Sequence, residues 1–432
     1  MSFIVFKTKN FEGLEQPAFI PTGTYTVDAE GTYNVANYEF IKVLIEKHEL
    51  KQVACSGETT WVLKTNGTLW GCGRGYYNAQ GSGNTTDVTT FTQRLDNVKQ
   101  VACSEETTWA VKTDGTLWGC GSGSYGKQGN GSTARVKVFT QRLTGIESVA
   151  CSNRTTWVIK NDGTLWGCGS NEYGQQGSGD TTDVKTFTQR LTNVKEVYAD
   201  NNVTWAVKND GTLWGCGYNN RGQQGSGDTT DVTTFTQRLD NIKQIVCSGY
   251  TTWAIKNDDT LWGCGIGNNG QQGIGYTDVK TFTQRLDNVK QVVCSQYSTF
   301  AVKNDDTLWG CGSNSSGQQG SGSTSNVTRF TQRLDNVKDF DCSGNATWAI
   351  KNDGTLWGCG RNNYGQQGSG DTTDVLTFTQ RLTGVESVVC SAYTTWAIKT
   401  DNTFWGCGDA QYGQQGSGDT TSVYTFTQRT LD

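Results

Sequence analysis

The chain has 432 residues with a net charge of −5, 55 glycines, two prolines and 15 tryptophans. Positive and negative residues are mixed along the chain, so no basic face is expected and nucleic acid is excluded as a partner. No apolar run approaches the ~18 residues that a membrane helix needs, so we expect no membrane insertion.

The first 49 residues differ from the rest of the chain and contain both prolines and the single histidine, His48. Apolar and polar residues alternate from Thr24 to Val43 around Glu-Gly and Ala-Asn turns, which predicts a small β unit. The apolar run at residues 3–6 is too short for the core of a signal peptide and lysines follow it, so secretion by the general route is not expected.

The stretch EGTYNVANYEFIKV, residues 30–43, resembles a short motif of virion and tail-associated proteins of phages that infect Gram-positive bacteria. The resemblance implies that residues 1–49 are an adaptor that docks the chain on other virion or assembly proteins. The candidate docking residues are the aromatic side chains Tyr25, Tyr33, Tyr38 and Phe40. An ordinary hairpin that leads into the next domain is the alternative.

From Leu50 to Asp432 one sequence unit is written eight times. A period of this length is typical of propellers, solenoids and arrays. The one short interval falls where residues 273–278 replace a longer Gly-Ser-Gly-Asp-Thr-Thr-Asp sequence, so that segment is predicted to be a loop. The structural repeat is marked by the tryptophans of the WGCG motif, which recur every 48 residues and once after 47: Trp70, Trp118, Trp166, Trp214, Trp262, Trp309, Trp357 and Trp405.

Each repeat predicts a four-stranded blade. In the first repeat, Thr60–Lys64 and Thr68–Cys72 are rich in β-branched and aromatic residues and flank an Asn-Gly turn, a strong hairpin signal. Val53–Cys55 and the segment around Phe91 supply the third and fourth strands. Repeats five, six and eight have Asp or Asn where the turn glycine stands, and these residues tolerate a left-handed conformation. Four short strands in about 48 residues match a propeller blade.

The two ends of the repeat region are complementary. The chain stops at residues 430–432, where other repeats continue into Asn-Val-Lys-Gln-Val, and Leu50–Val53 supply that continuation. We therefore predict that the two ends together complete one blade and close a ring of eight blades.

All 15 cysteines lie in the repeat, eight in WGCG and seven in the V-x-C-S strand, where repeat four has Ala199. Because a small apolar residue is accepted there, packed free thiols are the favoured interpretation. A disulfide within each blade would leave Cys216 without a partner, although disulfides stay open as an alternative. No cysteine spacing resembles a zinc site.

The sequence KNDGTLWG followed by SNEYGQQG, within residues 160–177, resembles the repeat of the regulator of chromosome condensation family, particularly its bacterial versions. The resemblance covers residues 50–432 and implies an all-β propeller. The family usually builds seven blades, so seven is the alternative to eight. Thr59 and Cys72 stand where the family usually has a histidine and a second tryptophan. Nucleotide exchange on a small GTPase, the activity of the eukaryotic member, has no matching segment in this sequence.

Repetition supplies rings of identical groups rather than the asymmetric constellation that catalysis needs, so no catalytic, cofactor-binding or metal-binding residue is predicted. Asp180 with Asp183, and Asp228 with Asp231, are interpreted as solvated turn residues rather than as a calcium site. Lys64 and its equivalents join the FTQR arginines in rings of positive charge, which we expect to pair with aspartates from blade to blade, with ligand binding as the alternative. These arginines are Arg94, Arg142, Arg190, Arg238, Arg285, Arg333, Arg381 and Arg429.

The sequence thus predicts an all-β protein, with an adaptor at residues 1–49 and an eight-bladed propeller at residues 50–432. The predicted function is that of a non-enzymatic structural and binding protein of a phage or prophage particle, made in the bacterial cytoplasm and located in the virion. Its loops would decorate the particle or bind a host surface receptor or glycan.

The alternative function is that of a cytoplasmic propeller that binds one protein partner and has a regulatory role. It predicts an asymmetric surface patch, for which the divergent segments at residues 129–138, 198–203 and 321–330 are the candidates. A lyase or hydrolase that acts in the central channel is a third and less favoured class.

Overall fold

The computed structural model describes residues 23–26, 32–35, 50–56, 58–200, 202–248, 250–343 and 345–431. Two short strands, Gly23–Thr26 and Thr32–Val35, form an antiparallel hairpin in which Tyr25 is opposite Tyr33. These strands fall within the predicted N-terminal β unit. The other two candidate docking residues, Tyr38 and Phe40, lie outside the described residues.

Eight antiparallel sheets of four strands follow one another from Leu50 to Arg429, and each is built from one contiguous segment. The first strands of neighbouring sheets contact one another around the whole circle, so they surround a central channel and the fourth strands form the outer rim. The fold is therefore an all-β propeller of eight blades, as predicted, and the seven-blade alternative is wrong. We number the blades 1 to 8 in chain order.

The strands of the eight blades fall into four sets. The inner strands are Leu50–Ser56, Val98–Cys103, Ile146–Cys151, Val194–Asp200, Ile242–Ser248, Val289–Cys294, Val337–Ser343 and Val385–Cys390. The second strands are Thr59–Lys64, Thr107–Lys112, Thr155–Lys160, Val203–Lys208, Thr251–Lys256, Ser298–Lys303, Ala346–Lys351 and Thr394–Lys399. The third strands are Leu69–Gly73, Leu117–Gly121, Leu165–Gly169, Leu213–Gly217, Leu261–Gly265, Leu308–Gly312, Leu356–Gly360 and Phe404–Gly408. The outer strands are Val88–Leu95, Val136–Leu143, Val184–Leu191, Val232–Leu239, Val279–Leu286, Val327–Leu334, Val375–Leu382 and Val423–Arg429.

Neighbouring blades pack through their second strands, which carry large side chains on both faces. Trp61, Val62 and Leu63 are all fully buried. Gly71 on the third strand leaves room for the indole, because a Cβ at this position would lie 2.5 Å from Cζ3 of Trp61. The buried tryptophan of blade 1 meets Phe139 of blade 2 edge to face, with ring centroids 5.8 Å apart. Apolar contact between blades therefore forms the core, since each sheet alone would expose both faces.

The ring closes by the same contacts that join the other blades. Thr108 Oγ1 of blade 2 donates to the carbonyl oxygen of Ala79 in blade 1 at 2.9 Å, and Thr60 Oγ1 of blade 1 donates to that of Gln414 in blade 8 at 2.9 Å. The prediction that the two chain ends together complete one blade is wrong. Leu50–Ser56 pair with the strand that follows them in the chain, so the seam lies between two complete blades.

The tight turns adopt the predicted conformation. Glycine takes a positive φ in the Asn-Gly and Asp-Gly turns, as at Gly67 with φ 81°. In repeats five, six and eight the same position is held by Asp259, Asp306 and Asn402, with φ of 61°, 63° and 62°. The shortened segment at residues 273–278 lies in a loop between two strands, as expected.

The register of the strands separates the two cysteines of each blade. Cys55 is opposite Thr60, and Thr60 is opposite Cys72 on its other side. Strands are spaced about 4.8 Å apart, so the two Cα atoms are about 10 Å apart, which is beyond the reach of a disulfide. All 15 cysteines are free, and those of the WGCG motif are fully buried.

Candidate binding surface

The propeller has two faces of different construction. One face carries the turns between inner and second strands and the long loops between third and outer strands, and we call it the loop face. The opposite face carries the Asn-Gly and Asp-Gly turns and the connections from blade to blade, and we call it the turn face. The chain leaves each blade on the turn face because four antiparallel strands return it to the end at which it entered.

One contact of the turn face is the same in all eight blades. The ammonium group of the last residue in each second strand lies over the ring of the WGCG tryptophan, at 3.9 to 4.8 Å from its centroid. The WGCG tryptophans are therefore half-buried under lysine, and the fully buried indoles are those of the second strands. One of these lysines, Lys256, also pairs with Asp240 of the preceding blade at 3.3 Å.

The FTQR arginines do not form the expected pairs. Within the described residues, no salt bridge includes one of the eight. They are half-buried along the outer strands, and burial lowers the pKa of Arg94 from its ordinary value. Arg429 donates from Nε to the carbonyl oxygen of Gln415 at 2.9 Å.

The paired aspartates of the long loops organise the loops themselves. Asp183 Oδ1 accepts the backbone N–H of Asn171 at 2.9 Å, and Asp180 Oδ1 accepts from the hydroxyl of Ser178 and from the N–H of Thr182. These hydrogen bonds, with that from Ser178 first, lower the pKa of Asp180. No group of three or more metal-ligating side chains is found in the part of the chain that the structure describes.

Differences between the repeats collect on the loop face. The segment that follows Gly73 reads Arg-Gly-Tyr-Tyr-Asn-Ala, whereas its equivalent after Gly169 reads Ser-Asn-Glu-Tyr-Gly-Gln. Tyrosine is concentrated here, with serine, asparagine and glycine around it. Eleven of the 16 tyrosines of the chain lie in loop-face segments: Tyr76, Tyr77, Tyr125, Tyr173, Tyr218, Tyr250, Tyr276, Tyr297, Tyr364, Tyr393 and Tyr412.

The strongest departure from the repeat is at the junction of blades 1 and 2. The guanidinium of Arg74 lies 4.6 Å from the ring centroid of Tyr412 in blade 8 and 5.2 Å from that of Tyr76. On the other side, Arg135 of blade 2 lies 4.9 Å from Tyr76 and 5.2 Å from Tyr77. Aromatic and guanidinium planes thus alternate across three blades, and 49% of Tyr76 is exposed.

Acidic and basic groups lie beside this stack. Glu58 pairs with Arg74 at 2.6 Å, and Glu106 pairs with the fully buried Lys127 at 2.5 Å. Glu105, between them, exchanges hydrogen bonds with Asn153 of blade 3. Burial, and then the neighbouring Glu58 and Glu106, raise the pKa of Glu105.

A cavity of about 290 Å³ opens at the loop-face end of the channel. Its walls come from blades 1, 2, 3, 7 and 8 and include Cys55, Glu105, Cys390 and Tyr393. Burial raises the pKa of both thiols well above the ordinary value, so they are protonated at neutral pH. The described lining therefore offers one carboxylate among hydroxyl, thiol and phenol groups.

Comparison with known families agrees with this architecture. The model of the RCC1-like domain matches residues 30–324, and the model of the regulator of chromosome condensation (RCC1) repeat matches residues 337–366. The chain belongs to the RCC1-like domain family. No curated protein matches the chain.

Three solved structures share this fold. Human WBSCR16 is 17% identical with a TM-score of 0.61, over 75% of this chain and 96% of that one. Prp20p from Saccharomyces cerevisiae is 20% identical with a TM-score of 0.58, over 74% and 86%. The structure of yeast RCC1 (Prp20) bound to Kap60 gives 19% and 0.56, over 72% and 82%. At these identities the likeness shows the fold alone.

The three divergent segments that the sequence suggested as binding candidates lie in different parts of the RCC1-like propeller. Of the divergent segments, residues 129–138 include Arg135 and contribute to the stack at blades 1 and 2. The described residues 198–200 of the second segment end an inner strand at the channel, and residues 321–330 lie on the far side of the ring. The loop at Arg74–Tyr77 was missed by sequence reasoning. Its signal was present as the loss of Gly-Gln-Gln-Gly, which reads Asn-Ala-Gln-Gly at residues 78–81.

In the described part of this RCC1-like chain, no helix has the length and apolar character needed to cross a bilayer.

Proposed function

We propose that the chain is a non-catalytic recognition propeller that binds a macromolecular partner through its loop face. The observation that carries this proposal is a difference between the two faces. The turn face repeats one lysine–tryptophan contact eight times, whereas the loop face concentrates tyrosine, serine, glycine and asparagine at positions that differ between blades. This composition is typical of binding surfaces built on a rigid scaffold, because tyrosine gives large contact area at low entropic cost.

A protein partner is the class that fits best. Exposed tyrosine and arginine are the residues most enriched at protein interfaces, and 39% of Tyr297 and 40% of Tyr125 are exposed. Yeast RCC1 (Prp20) has been crystallised with Kap60 and studied for binding to Gsp1p and histones. Those partners are that protein's own; the support for our proposal is that a protein with the same propeller fold binds other proteins.

In this proposal, the cavity at the loop-face end of the channel is not a catalytic site, because its side chains are not suited to acid–base catalysis. General acid–base catalysis needs groups whose pKa values are matched to the reaction. The described walls of the cavity carry Glu105 together with thiols that burial keeps protonated. Asp341 accepts the backbone N–H of Cys390 at 2.8 Å and, second to burial, raises the pKa of the Cys390 thiol further, so this carboxylate does not activate the thiol and the cavity is suited to binding.

Photo-crosslinking tests which face binds. A benzophenone amino acid is placed at Tyr297 on the loop face or at Asn66 on the turn face, and the chain is irradiated in cells that express it at its native level. We expect a discrete adduct from the loop-face position and none from the turn-face position. An adduct formed from Asn66 alone would overturn the proposal.

We further propose that this binding takes place on a phage or prophage particle, with residues 1–49 as the adaptor to other virion proteins and the loop face directed to a host receptor or glycan. The support is the resemblance of residues 30–43 to virion proteins. Deletion of residues 1–49 should release the chain from particles sedimented from an induced lysate and leave a folded propeller. If the truncated chain still sediments with particles, the adaptor role is wrong. If the full chain never does, the cytoplasmic alternative is favoured.

A further inference from the structure

Arg135 occupies a position at which the other blades place an acceptor. Its equivalent is aspartate in blades 1, 3, 4, 5 and 7, and that carboxylate accepts the backbone N–H at the start of the same loop at 2.8 to 2.9 Å. Asn326 does the same in blade 6 at 3.1 Å. Arginine has no acceptor atom, so Arg135 cannot accept the corresponding N–H of Gly123. Blade 2 thus gives up a hydrogen bond that stabilises this loop elsewhere.

Arg135 contacts the neighbouring blade instead. Its guanidinium plane lies over Tyr76 and Tyr77, and one terminal N–H group donates to the carbonyl oxygen of Tyr76 at 3.0 Å. The side chain is exposed, and no carboxylate in the described part of the chain forms an ion pair with it. Stacking uses the face of the guanidinium and leaves donors at its edge for a ligand.

A second local cost lies in the same blade. Tyr125 has a φ of 63°, a left-handed conformation that is unfavourable for a bulky residue, and 40% of its surface is exposed. Strain of this kind collects at functional sites, where the surrounding structure holds it in place. Blade 2 thus carries two departures from the repeat that are each unfavourable to the fold, as expected where selection for binding outweighs stability. Arg135 adjoins the exposed ring of Tyr76, whereas Tyr125 faces blade 3, with its ring centroid 5.6 Å from the guanidinium of Arg154.

Three other cations of this region are neutralised within the chain. Arg74 pairs with Glu58 at 2.6 Å, Lys127 is buried against Glu106, and Arg154 pairs with Glu172 at 3.2 Å. The guanidinium of Arg135 differs from these three cations: it has no carboxylate partner among the described residues and is held on exposed tyrosine rings, so its charge is available to an external counterpart. A carboxylate fits it well, because arginine can donate two parallel hydrogen bonds to one.

We propose that Tyr76, Tyr77 and Arg135 form the dominant binding patch of the loop face, and that the patch takes an acidic segment of a partner protein. An aspartate or glutamate of the partner binds the edge of Arg135, and apolar neighbours of that residue pack on the tyrosine rings. The proposal rests on the binding role of the loop face and adds the position of the patch and the chemistry of its partner.

The decisive variant is Arg135→Asp, because it restores the residue that five other blades use. It supplies the acceptor for Gly123 while it removes the cation, so the fold should be as stable as the original or more stable, and binding should be lost. The matched control is Asn326→Asp, which makes the same restoration in blade 6, away from the patch. Arg135→Lys keeps the charge and removes the planar, two-pronged donor.

The experiment is the selection of a random-peptide display library on the full chain, followed by measured affinities of the enriched peptides. We expect enriched peptides to contain Asp or Glu beside aromatic or aliphatic residues. Their affinity should fall about tenfold or more for Arg135→Asp, and by a similar factor when the peptide acid is replaced by its amide. It should fall less for Arg135→Lys and remain unchanged for Asn326→Asp. Thermal unfolding of each variant verifies that it is folded.

Three outcomes would overturn the inference: enriched peptides without acidic residues, equal affinity for the original chain and Arg135→Asp, or binding of glycans on an array in place of peptides. The same affinities test the binding role of the loop face separately. If Arg135→Asp leaves peptide affinity unchanged but Tyr297→Ala lowers it, the loop face remains the binding surface and only the patch is wrong. If only turn-face substitutions lower peptide affinity, both the patch and the loop-face proposal are wrong.

Discussion

At the scale of single residues, glycine in the WGCG motif is dictated by the neighbouring indole. Replacement Gly71→Ala would place a methyl group 2.5 Å from Trp61 in a fully buried interface, and we expect a loss of about 3 kcal/mol in stability. Gly145→Ala is the control, since that position has φ 69° but nothing within 4 Å, and it should cost about 1 kcal/mol. Thermal unfolding midpoints check the order; equal losses would contradict the close packing of Trp61.

The thiols predict how stability depends on pH. Burial raises the pKa of Cys103 and of Cys294 from 9.0 to about 12. A thiol whose folded pKa exceeds its unfolded value stabilises the fold fully at low pH, and this contribution is lost as pH rises from about 9 toward 12. Stability should therefore fall across this alkaline range.

Replacement of the seven inner-strand cysteines by alanine tests this dependence. Ala199 shows that the fold accepts alanine at this position. The substituted chain should keep its stability at neutral pH to within a few degrees and lose less between about pH 9 and 11 than the original. Lysine and tyrosine titrate in both chains and cancel in the comparison, so parallel pH profiles would show that the thiols are not buried.

At the scale of the strand, one hydroxyl per blade joins neighbouring sheets. The threonine that precedes the buried aromatic residue of each second strand donates to a loop carbonyl of the preceding blade at 2.9 to 3.0 Å in all eight blades. Thr108→Val preserves the shape and removes this buried hydrogen bond, so we expect a loss of about 1 to 3 kcal/mol.

The control is Thr92→Val, whose hydroxyl bonds at the exposed outer strand. It should change stability by less than about 0.5 kcal/mol. Thermal unfolding of the two variants is compared with that of the original chain. A small loss for Thr108→Val would mean that packing of the tryptophans, and not the hydroxyl, joins the blades.

The elements were predictable where the signal is local. The hairpin between Thr59–Lys64 and Leu69–Gly73 follows from β-branched runs around an Asn-Gly pair, and the loop at residues 273–278 follows from a change in length. The binding patch was not predictable, because Tyr76 and Arg135 are 59 residues apart and meet through the contact of two blades. The seam was misplaced for a related reason: a periodic sequence does not reveal which strand begins a blade.

At the scale of the whole molecule, closure of the ring makes a quantitative prediction. Thr60 donates to Gln414, 354 residues away, with the same geometry as Thr108 with Ala79. If the ring is closed, Thr60→Val must cost as much as Thr108→Val, to within about 0.5 kcal/mol, because the two sites are independent and equivalent. In an open spiral the Thr60 hydroxyl would face water, and its removal would cost almost nothing. Thermal unfolding of the two single variants and of the double variant distinguishes these cases. If the Thr60→Val variant is as stable as the original chain, blades 8 and 1 are not closed against each other.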